Sequence, residues 1–390
     1  MNPPGVWSRI GGMFVSRSLA GRDLALDIFR GLAIIGMILV NHPPLGEKMY
    51  APFVHAEWNG WSVADTIFPA FLFAVGVSIA WVLPGRDDPR AAALGARIYW
   101  KIIRRAALLI FVSVLLVNLP YWEWAKLRVA GVLAHIGWCY LIVSVIRMRL
   151  HWRGQLAVTL LVMLVHWLVL TQLHVPGFGS GVLTPEGNAS RYIDQAVLGP
   201  YAFMFDMGEK SPYGLLVIFS SLSTTLIGAL AGHWMRSDRP HADRVLGLFA
   251  TGCALFVLAN AWDVVLPINK LMWTGSFVAL TAGISLVVLG MIHWALALDP
   301  AARWAWPLKV AGVNALAFYV FAQLLQRVLV FGRLRLDGDA PVRLRVLIYE
   351  RLFMPWISGQ PGALLYTVTF LLICFGAMAL LYRRRIFVRL

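Results

Sequence analysis

The sequence predicts an all-α fold, a polytopic membrane helix bundle with about ten transmembrane helices. Of the 390 residues, 59% are hydrophobic and only 14% are charged, whereas a soluble domain carries about 25% charged residues. The apolar runs of roughly 18–25 residues have the length that a helix needs to cross hydrocarbon. So few charged side chains do not cover a globule of this size, and we therefore expect an integral membrane protein.

Ten apolar runs, separated by joins rich in Pro and Gly, are the predicted spans. They cover residues 24–42, 62–83, 102–119, 129–147, 155–173, 213–235, 244–262, 272–298, 306–330 and 362–382. No small-residue cleavage site follows the first run, so we interpret it as a retained span and not as a signal peptide. We expect residues 1–23 to form a cytoplasmic N-terminal segment and residues 24–390 to form a single transmembrane domain. Residues 333–361 contain an apolar patch that Glu350 and Arg351 interrupt, which predicts an interfacial or re-entrant helix.

Lys and Arg side chains predict which ends of the spans face the cytoplasm. The basic segments are the two termini and the loops around 84–105, 147–154 and 236–244. The positive-inside bias therefore places both termini in the cytoplasm, in what we expect to be a bacterial inner membrane. The five arginines of 333–361 oppose this arrangement, because that loop would be external. The net charge of +15 comes mostly from basic loops and termini, and we do not expect nucleic acid as a partner.

The sequence indicates neither a disulfide framework nor a metal site. Cys139, Cys253 and Cys374 lie inside apolar runs and form no CxxC motif, which is typical of buried free thiols. No cluster of His, Cys, Asp or Glu has metal-ligand spacing, so no metal is expected.

The stretch VHAEWNGWSVADTIFP, residues 54–69, gathers polar side chains where the second span begins. One interpretation is structural: Ser62 and Asp65 have the spacing of a capping box, with Asp in place of the usual Glu. Trp58 then suits the membrane–water interface. This interpretation does not require His55.

The other interpretation of the same stretch is chemical. His55 can take a proton from an attacking nucleophile, or be acylated itself. Asp65 can hold the imidazole tautomer and stabilise its cationic form, and Asn41 can orient the ring or bind a reacting carbonyl group. The spacing does not fix these contacts, because His55 and Asp65 lie on different elements.

Two long motifs identify a family that the chain resembles. The segments RDLALDIFRGLAIIGMILVN (22–41) and HAEWNGWSVADTIFPAFLFAVGVSI (55–79) are similar to the heparan-α-glucosaminide N-acetyltransferase family and its bacterial relatives. The likeness continues in order through RVAGVLAHIGWCYL (128–141), SPYGLL (211–216), PINKLMWTGSFV (267–278), GVNALAFYV (312–320) and LYRRRIF (381–387). The resemblance therefore covers nearly all of the chain from residue 22.

The resemblance implies acetyl transfer from cytoplasmic acetyl-CoA to the amine of a glucosamine on the far side of the membrane. It implies that His55 is the catalytic histidine and that Asn41 and Asp65 are its functional neighbours. A small amino sugar or the end of a cell-wall glycan is the acceptor that we expect. An alternative within the family is O-acetylation of an envelope polysaccharide. A transporter of amino sugars is a further alternative, but it usually carries an inverted repeat, and the sequence shows none.

If acetyl-CoA is the co-substrate, its phosphates need basic side chains at the cytoplasmic face. One helical face with i, i+4, i+7, i+8 spacing is the first candidate, and it contains Arg97, Lys101, Arg104 and Arg105. Ordinary snorkelling of these side chains explains the pattern equally well. Arg30 is a second candidate, although an ion pair with Asp27 would also account for it. Asn314 is expected to line the passage of the cofactor or to bond neighbouring helices.

Polar groups beside indole rings suit a sugar, whose hydroxyl groups need hydrogen bonds and whose apolar face stacks on a ring. The predicted substrate-binding residues lie in three segments, and they are Glu57, Trp58, Asn59, Arg128, Asn269, Lys270 and Trp273. A capped loop with an interfacial tryptophan is the alternative for the last three. The expected partners are the amino sugar or glycan acceptor and membrane lipid, and formation of a homodimer is left open.

Overall fold

The computed structural model describes residues 15–16, 23–44, 49–86, 88–124, 127–201, 214–335 and 341–388. Most of the predicted cytoplasmic segment 1–23 therefore lies outside the described residues. Within them the chain is almost entirely helical, which confirms the predicted all-α class. The helices are α1 (Leu24–Asn41), α2 (Val63–Val82), α3 (Pro89–Asn118), α4 (Val132–Arg149), α5 (Trp152–Gln172), α6 (Ala189–Leu198), α7 (Leu215–Met235), α8 (His241–Asp263), α9 (Gly275–Leu298), α10 (Trp306–Val313), α11 (Ala315–Phe331), α12 (Leu344–Leu352) and α13 (Gly359–Arg383).

The described structure also contains three short 3₁₀ helices, at Ala51–Phe53, Gly199–Tyr201 and Arg303–Ala305, and four short strands. The strands are β1 (Val15–Ser16), β2 (Arg333–Leu334), β3 (Val342–Arg343) and β4 (Phe387–Val388). The first and last pair with each other in antiparallel fashion, and so do the two middle strands. The described part of 333–361, for which an interfacial or re-entrant helix is predicted, contains β2, β3, the short helix α12 and the beginning of α13.

Eight of the described helices are long and apolar enough to cross a membrane, which confirms an integral membrane protein with several spans. They are α1, α2, α4, α5, α7, α8, α9 and α13. The predicted span 306–330 is not one straight helix, because α10 and α11 meet at Asn314 with a bend of 69°. The predicted span 102–119 belongs to α3, which also has a non-helical residue, Gly95, with φ of 47°. The basic side chains of α3 make it less apolar than the other spans.

The chain divides into two compact units. The terminal unit comprises the described parts of 1–55, 62–67 and 298–390, and the central unit comprises 56–61 and the described parts of 68–297. The single transmembrane domain expected over 24–390 stays a prediction.

In the terminal unit, α1 packs against α10 with their backbones in direct contact. A methyl group at Gly31 would overlap the carbonyl oxygen of Leu308, and one at Gly312 would overlap that of Asp27. Glycine at these two positions is therefore what allows the helices to approach so closely. At the adjacent bend, the Asn314 side chain donates to the carbonyl oxygen of Ile386 at 3.0 Å. Its own carbonyl oxygen accepts from the Val388 amide at 2.9 Å, so it holds β4.

In the central unit, α2 and α7 approach each other in the same way. A methyl group at Gly76 would overlap the carbonyl oxygen of Thr225, and one at Gly228 would overlap that of Phe73. The indole of Trp273 is fully buried in this unit, with edge-to-face contacts to Phe68 and Phe277. Small residues at helix crossings and a buried aromatic cluster thus contribute to the packing of this unit.

Candidate active site

His55 and Asp65 form a hydrogen-bonded pair in the terminal unit. The imidazole Nδ1 lies 2.8 Å from the carboxylate oxygen Oδ1. The Asp65 side chain is 1% exposed, whereas that of His55 is 43% exposed. In a neutral ring whose Nδ1–H donates to a carboxylate, the lone pair lies on Nε2. This arrangement suits a ring that accepts a proton from a molecule arriving at its exposed edge.

The second oxygen of the same carboxylate caps the N-terminus of α2. Asp65 Oδ2 accepts from the Ser62 amide at 3.0 Å and from the Ser62 hydroxyl at 3.1 Å. The amide contact is the backward half of a capping box, and the negative charge lies at the positive end of the helix. The structural and the chemical interpretations of this stretch are thus compatible, because each one uses a different carboxylate oxygen.

Hydrogen bonds within the central unit hold the residues that follow His55 in the chain. Trp58 Nε1 donates to the Leu183 carbonyl oxygen at 2.8 Å, and the Gly60 amide donates to that of Ile268 at 2.8 Å. The Asn269 amide group donates to the Trp58 carbonyl oxygen at 3.0 Å and to Asn59 Oδ1 at 3.1 Å. Three predicted substrate-binding residues, Trp58, Asn59 and Asn269, therefore stabilise this segment.

Asn269 and Trp273 are less suited to sugar binding than the sequence indicates. Asn269 is fully buried, and its carbonyl oxygen also accepts from the Met272 amide at 2.9 Å. Trp273 is not an interfacial ring: its indole is fully buried and donates to the Thr224 hydroxyl at 3.2 Å. A buried indole offers no face on which a sugar can stack. The half-buried Lys270 and the exposed Glu57 remain predicted contacts of the substrate.

Arg128 lies four residues before α4, because this helix begins at Val132 and not at residue 129, where the span was predicted to begin. Its backbone is fixed by Asn118, which accepts from the Arg128 amide at 2.9 Å and donates to its carbonyl oxygen at 2.9 Å. Its predicted contact with substrate stays a prediction.

Asn41 is the last residue of α1, and its side chain is exposed. Within the described residues it makes no hydrogen bond to His55, so it does not orient this ring in the structure. Its neighbour His42 is buried, stacks on Phe370 with ring centroids 4.7 Å apart, and bonds the Ile38 carbonyl oxygen at 2.9 Å. His42 thus has a packing role, while binding of a reacting carbonyl group by Asn41 stays a prediction.

The predicted cofactor residues are divided between the two units. In the terminal unit, Arg30 pairs with Asp27 at 3.3 Å, as the structural alternative expects. Asn314 uses both atoms of its amide group to hold β4, as described above. In the central unit, Arg97 and Lys101 are exposed, whereas Arg104 and Arg105 are half-buried. The Arg105 guanidinium lies 4.7 Å from the centre of the Tyr140 ring.

The sequence analysis missed Arg147, which lies in the last turn of α4 and is only 7% exposed. An arginine at the end of a span is ordinarily part of the positive-inside pattern, with its charge in water. No sequence signal distinguishes the buried one from its neighbour Arg149.

The chain is similar to proteins of one described family. Residues 22–246 match the family described as heparan-alpha-glucosaminide N-acetyltransferase, catalytic. The heparan-alpha-glucosaminide N-acetyltransferase of Mus musculus is 28% identical over 371 residues, which are 81% of this chain and 55% of the relative. The one of Homo sapiens is 27% identical over 370 residues, 80% of this chain and 54% of the relative. The chain thus spans about half the length of the curated relatives it matches, and His55, Asp65 and Asn41 lie inside the family match.

Proposed function

The chain belongs to the heparan-alpha-glucosaminide N-acetyltransferase family, and from this premise we propose that it moves acetyl groups across a bacterial inner membrane. The donor is cytoplasmic acetyl-CoA, and the acceptor is the amine of a glucosamine-type sugar on the periplasmic side. The observation that supports this proposal best is the 2.8 Å contact between His55 Nδ1 and the buried Asp65 carboxylate.

His55 acts as the general base in this proposal. Its Nε2 takes a proton from the sugar amine as the nitrogen forms a bond to the thioester carbonyl carbon. The C–S bond then breaks, and the imidazolium returns the proton to the departing thiolate of CoA. Asp65 stabilises the imidazolium through the hydrogen bond to Nδ1, and a positioned base of this kind contributes roughly 10²- to 10⁴-fold in rate.

A second route starts from the same reactants and gives the same products. Nε2 of His55 attacks the thioester itself, CoA leaves, and acetyl-histidine passes its acetyl group to the amine. We favour direct attack, because an exposed base paired with a carboxylate is sufficient for it. The two routes differ in one observable: only acetyl-histidine leaves radioactivity on the protein when labelled acetyl-CoA is supplied without an acceptor.

The test of the function is acetyl transfer by the purified chain in nanodiscs, with labelled acetyl-CoA and glucosamine. His55→Ala is expected to lower the rate about 10²- to 10⁴-fold, because the base is removed. The matched control is His174→Ala, since His174 is also exposed but lies after α5; its rate should equal that of the unmodified chain. Undiminished transfer by His55→Ala would contradict the proposed role of the imidazole.

The same assay separates the alternative acceptor chemistry. N-acetylglucosamine has no free amine, so it should not be acetylated if the enzyme is an N-acetyltransferase. Acetylation of N-acetylglucosamine at a rate similar to that of glucosamine would instead indicate O-acetyl transfer.

One observation favours the transporter alternative, namely the 69° break between α10 and α11. Discontinuous helices are common at the substrate sites of transporters. Counterflow of labelled glucosamine in vesicles without acetyl-CoA would support transport, whereas we expect no counterflow.

A further inference from the structure

A cavity of about 690 Å³ lies in the central unit, among α5, α7, α8 and α9. The volume is within the range of sites for small molecules. On one side, the Ser223 hydroxyl of α7 donates to the Thr159 carbonyl oxygen of α5 at 3.4 Å. On the other, a methyl group at Gly252 of α8 would lie 2.8 Å from the Gly283 carbonyl oxygen of α9. The cavity therefore lies between two pairs of closely packed helices, all of which are long and apolar enough to span a membrane.

The lining of this cavity is apolar. None of the described residues that line it is charged, and leucine is the commonest among them. The Thr159 hydroxyl donates to the Gln155 carbonyl oxygen at 2.8 Å, and the Trp234 indole donates to that of Arg244 at 2.9 Å. These two groups are therefore already paired, and few hydrogen-bonding groups are left for a ligand. A buried water molecule needs about three polar partners, so the lining suits hydrocarbon better than water, a sugar or a nucleotide.

An indole ring lies at each end of the cavity. At one end, a methyl group at Gly247 would lie 2.6 Å from the Trp234 ring, so this ring rests on α8. At the other end, the Trp262 ring rests in the same way on Gly275, where α9 begins. Along α8 the lining extends from Gly247 to Trp262, a distance of about 22 Å for a helical rise of about 1.5 Å per residue. The cavity thus suits an elongated chain.

This length exceeds one leaflet of a bilayer. The hydrocarbon core is about 30 Å thick, so one leaflet occupies about 15 Å of it. The acyl chains of a phospholipid end near the midplane, whereas a cavity of this length continues past it. A lipid whose chain fills the whole cavity is therefore longer than ordinary acyl chains, as polyprenyl chains are.

The exposed part of the lining lies on α5 and α8. Leu160 and Leu164 of α5 are 59% and 48% exposed, and Leu258 of α8 is 49% exposed, although all three line the cavity. Leucines that are exposed on membrane-spanning helices face lipid tails, which are equally apolar. A lipid chain therefore reaches the cavity from the bilayer without crossing a polar surface.

The end of the cavity at Trp262 is connected to the segment that follows His55. Trp262 and Trp167 line the cavity and also pack against a buried cluster that contains Leu266. Trp58 packs against the same cluster, and it follows His55 by three residues in the chain. The loop before α9 contains little positive charge, so the positive-inside distribution predicts that this end faces the periplasm.

We propose that this cavity binds the hydrocarbon chain of a polyprenyl glycolipid, and that the acceptor sugar is the headgroup of this lipid. The chain enters from the bilayer, and the headgroup emerges at the Trp262 end. This inference rests on the proposed function, because it names the class of molecule that carries the glucosamine-type amine. The chain anchors the acceptor to the membrane, so the sugar stays at the surface where its amine reacts.

The binding experiment uses a polyprenyl phosphate whose chain ends in a photoreactive diazirine, with the full chain in phosphatidylcholine nanodiscs. The diazirine should label residues near Trp234, at the end remote from the headgroup. Excess polyprenyl phosphate should displace the label, whereas phosphatidylglycerol should not. Ala250→Trp adds a large ring to the lining on α8 and should reduce labelling roughly tenfold. The matched control is Ala254→Trp, because Ala254 is also exposed on α8 but is not among the described lining residues; it should be labelled like the unmodified chain.

Several results of this experiment would overturn the proposal. Equal displacement by phosphatidylglycerol would mean that ordinary bilayer lipid occupies the cavity. Equal labelling of Ala250→Trp and the unmodified chain would mean that the probe binds elsewhere. Absence of labelling would also overturn it, and a dimer that Ala250→Trp converts to a monomer would then assign this face to a contact between two copies of the chain. Thr251→Trp, at another exposed lining residue, takes the place of Ala250→Trp if that variant does not fold.

The class of acceptor is tested with glucosamine attached either to a long polyprenyl chain or to a geranyl group. The unmodified chain should have a KM roughly tenfold lower for the long-chain acceptor, because more of that chain is buried. Ala250→Trp should raise the KM of the long-chain acceptor roughly tenfold, and Ala254→Trp should leave it unchanged. Equal KM values for the two acceptors would overturn the proposal.

Failure of this proposal and failure of the proposed function are distinguishable. Acetyl transfer with equal KM values for the two acceptors removes the lipid-linked acceptor and leaves the function. Photolabelling that Ala250→Trp reduces, without any acetyl transfer, has the opposite meaning.

Discussion

At the scale of single residues, Asp65 illustrates how one side chain serves two purposes. Oδ1 contacts His55 and Oδ2 contacts Ser62. Because the carboxylate is 1% exposed, water cannot replace either partner. A change at this residue therefore affects both the start of α2 and the histidine, and the two effects can be separated by choosing the substitution.

Asp65→Asn keeps the shape of the side chain but removes its negative charge. We expect acetyl transfer to fall about 10²-fold or more, because the imidazolium loses its counter-charge. We also expect a modest loss of stability, about 1 kcal/mol, from the helix end. Rates and melting temperatures measured on the same preparation check both effects.

The control for Asp65→Asn is Ser62→Ala, which removes the hydroxyl group that donates to Oδ2 but leaves the contact with His55. It should lower stability by a similar amount and leave the rate within a few-fold. Loss of activity in Ser62→Ala equal to that in Asp65→Asn would indicate that Asp65 acts through the helix end alone.

At the scale of elements, Asp194 of α6 ties that short helix to the beginning of α7. Its Oδ1 accepts from the Leu215 amide at 2.7 Å, and a methyl group at Gly214 would overlap its carboxylate. Burial raises the pKa of the Asp194 carboxyl to about 6, although the amide contact opposes the shift. Desolvation of the carboxylate is therefore the larger of the two effects.

This pKa predicts how the stability of the contact depends on pH. The unfolded carboxyl ionises near pH 4 and the folded one near pH 6, so the unfolded chain releases its proton first as the pH rises. The contribution of Asp194 to stability is therefore largest below pH 4, falls by about 2–3 kcal/mol between pH 4 and 6, and is constant above.

Asp194→Asn should abolish that part of the pH dependence. The measurement is the difference in melting temperature between the unmodified chain and the variant at several values between pH 4 and 7. We expect the unmodified chain to lose stability relative to the variant as the pH rises. A difference that is constant across this range would show that the carboxyl is not desolvated.

At the scale of the whole molecule, close backbone contacts between helices determine how the chain packs within each unit. In the terminal unit, α1 and α10 touch at Gly31 and Gly312. In the central unit, α2 and α7 touch at Gly76 and Gly228. Helices in lipid associate through close packing more than through a hydrophobic driving force. Glycine allows this close packing, because it has no side chain to keep the two backbones apart.

Gly31→Ala should therefore be costly, since the added methyl group overlaps the backbone oxygen of Leu308, which cannot move independently of α10. We expect a loss of about 1–3 kcal/mol, as for other overpacked cores. Gly376→Ala in α13 is the control, because nothing lies near the added methyl group. Thermal unfolding in nanodiscs should show a lower melting temperature for the first variant only.

The sequence by itself determined which segments are helical and apolar, because hydropathy summed over about twenty residues is a local property. Through the family motifs it also indicated His55 and Asp65. It did not reveal that the span bends at Asn314, whose amide group bonds Ile386 and Val388, 72 and 74 residues away in the chain.

Only the tertiary structure decided which polar side chains are exposed and which hold the protein together. Asn269 and Trp58 look like sugar-binding groups in the sequence, yet each bonds a segment more than 100 residues distant. Arg147 and Arg149 look alike, yet only the first is buried. The physical reason is that burial and hydrogen-bond partners are set by packing between distant segments, and local sequence patterns do not contain that information.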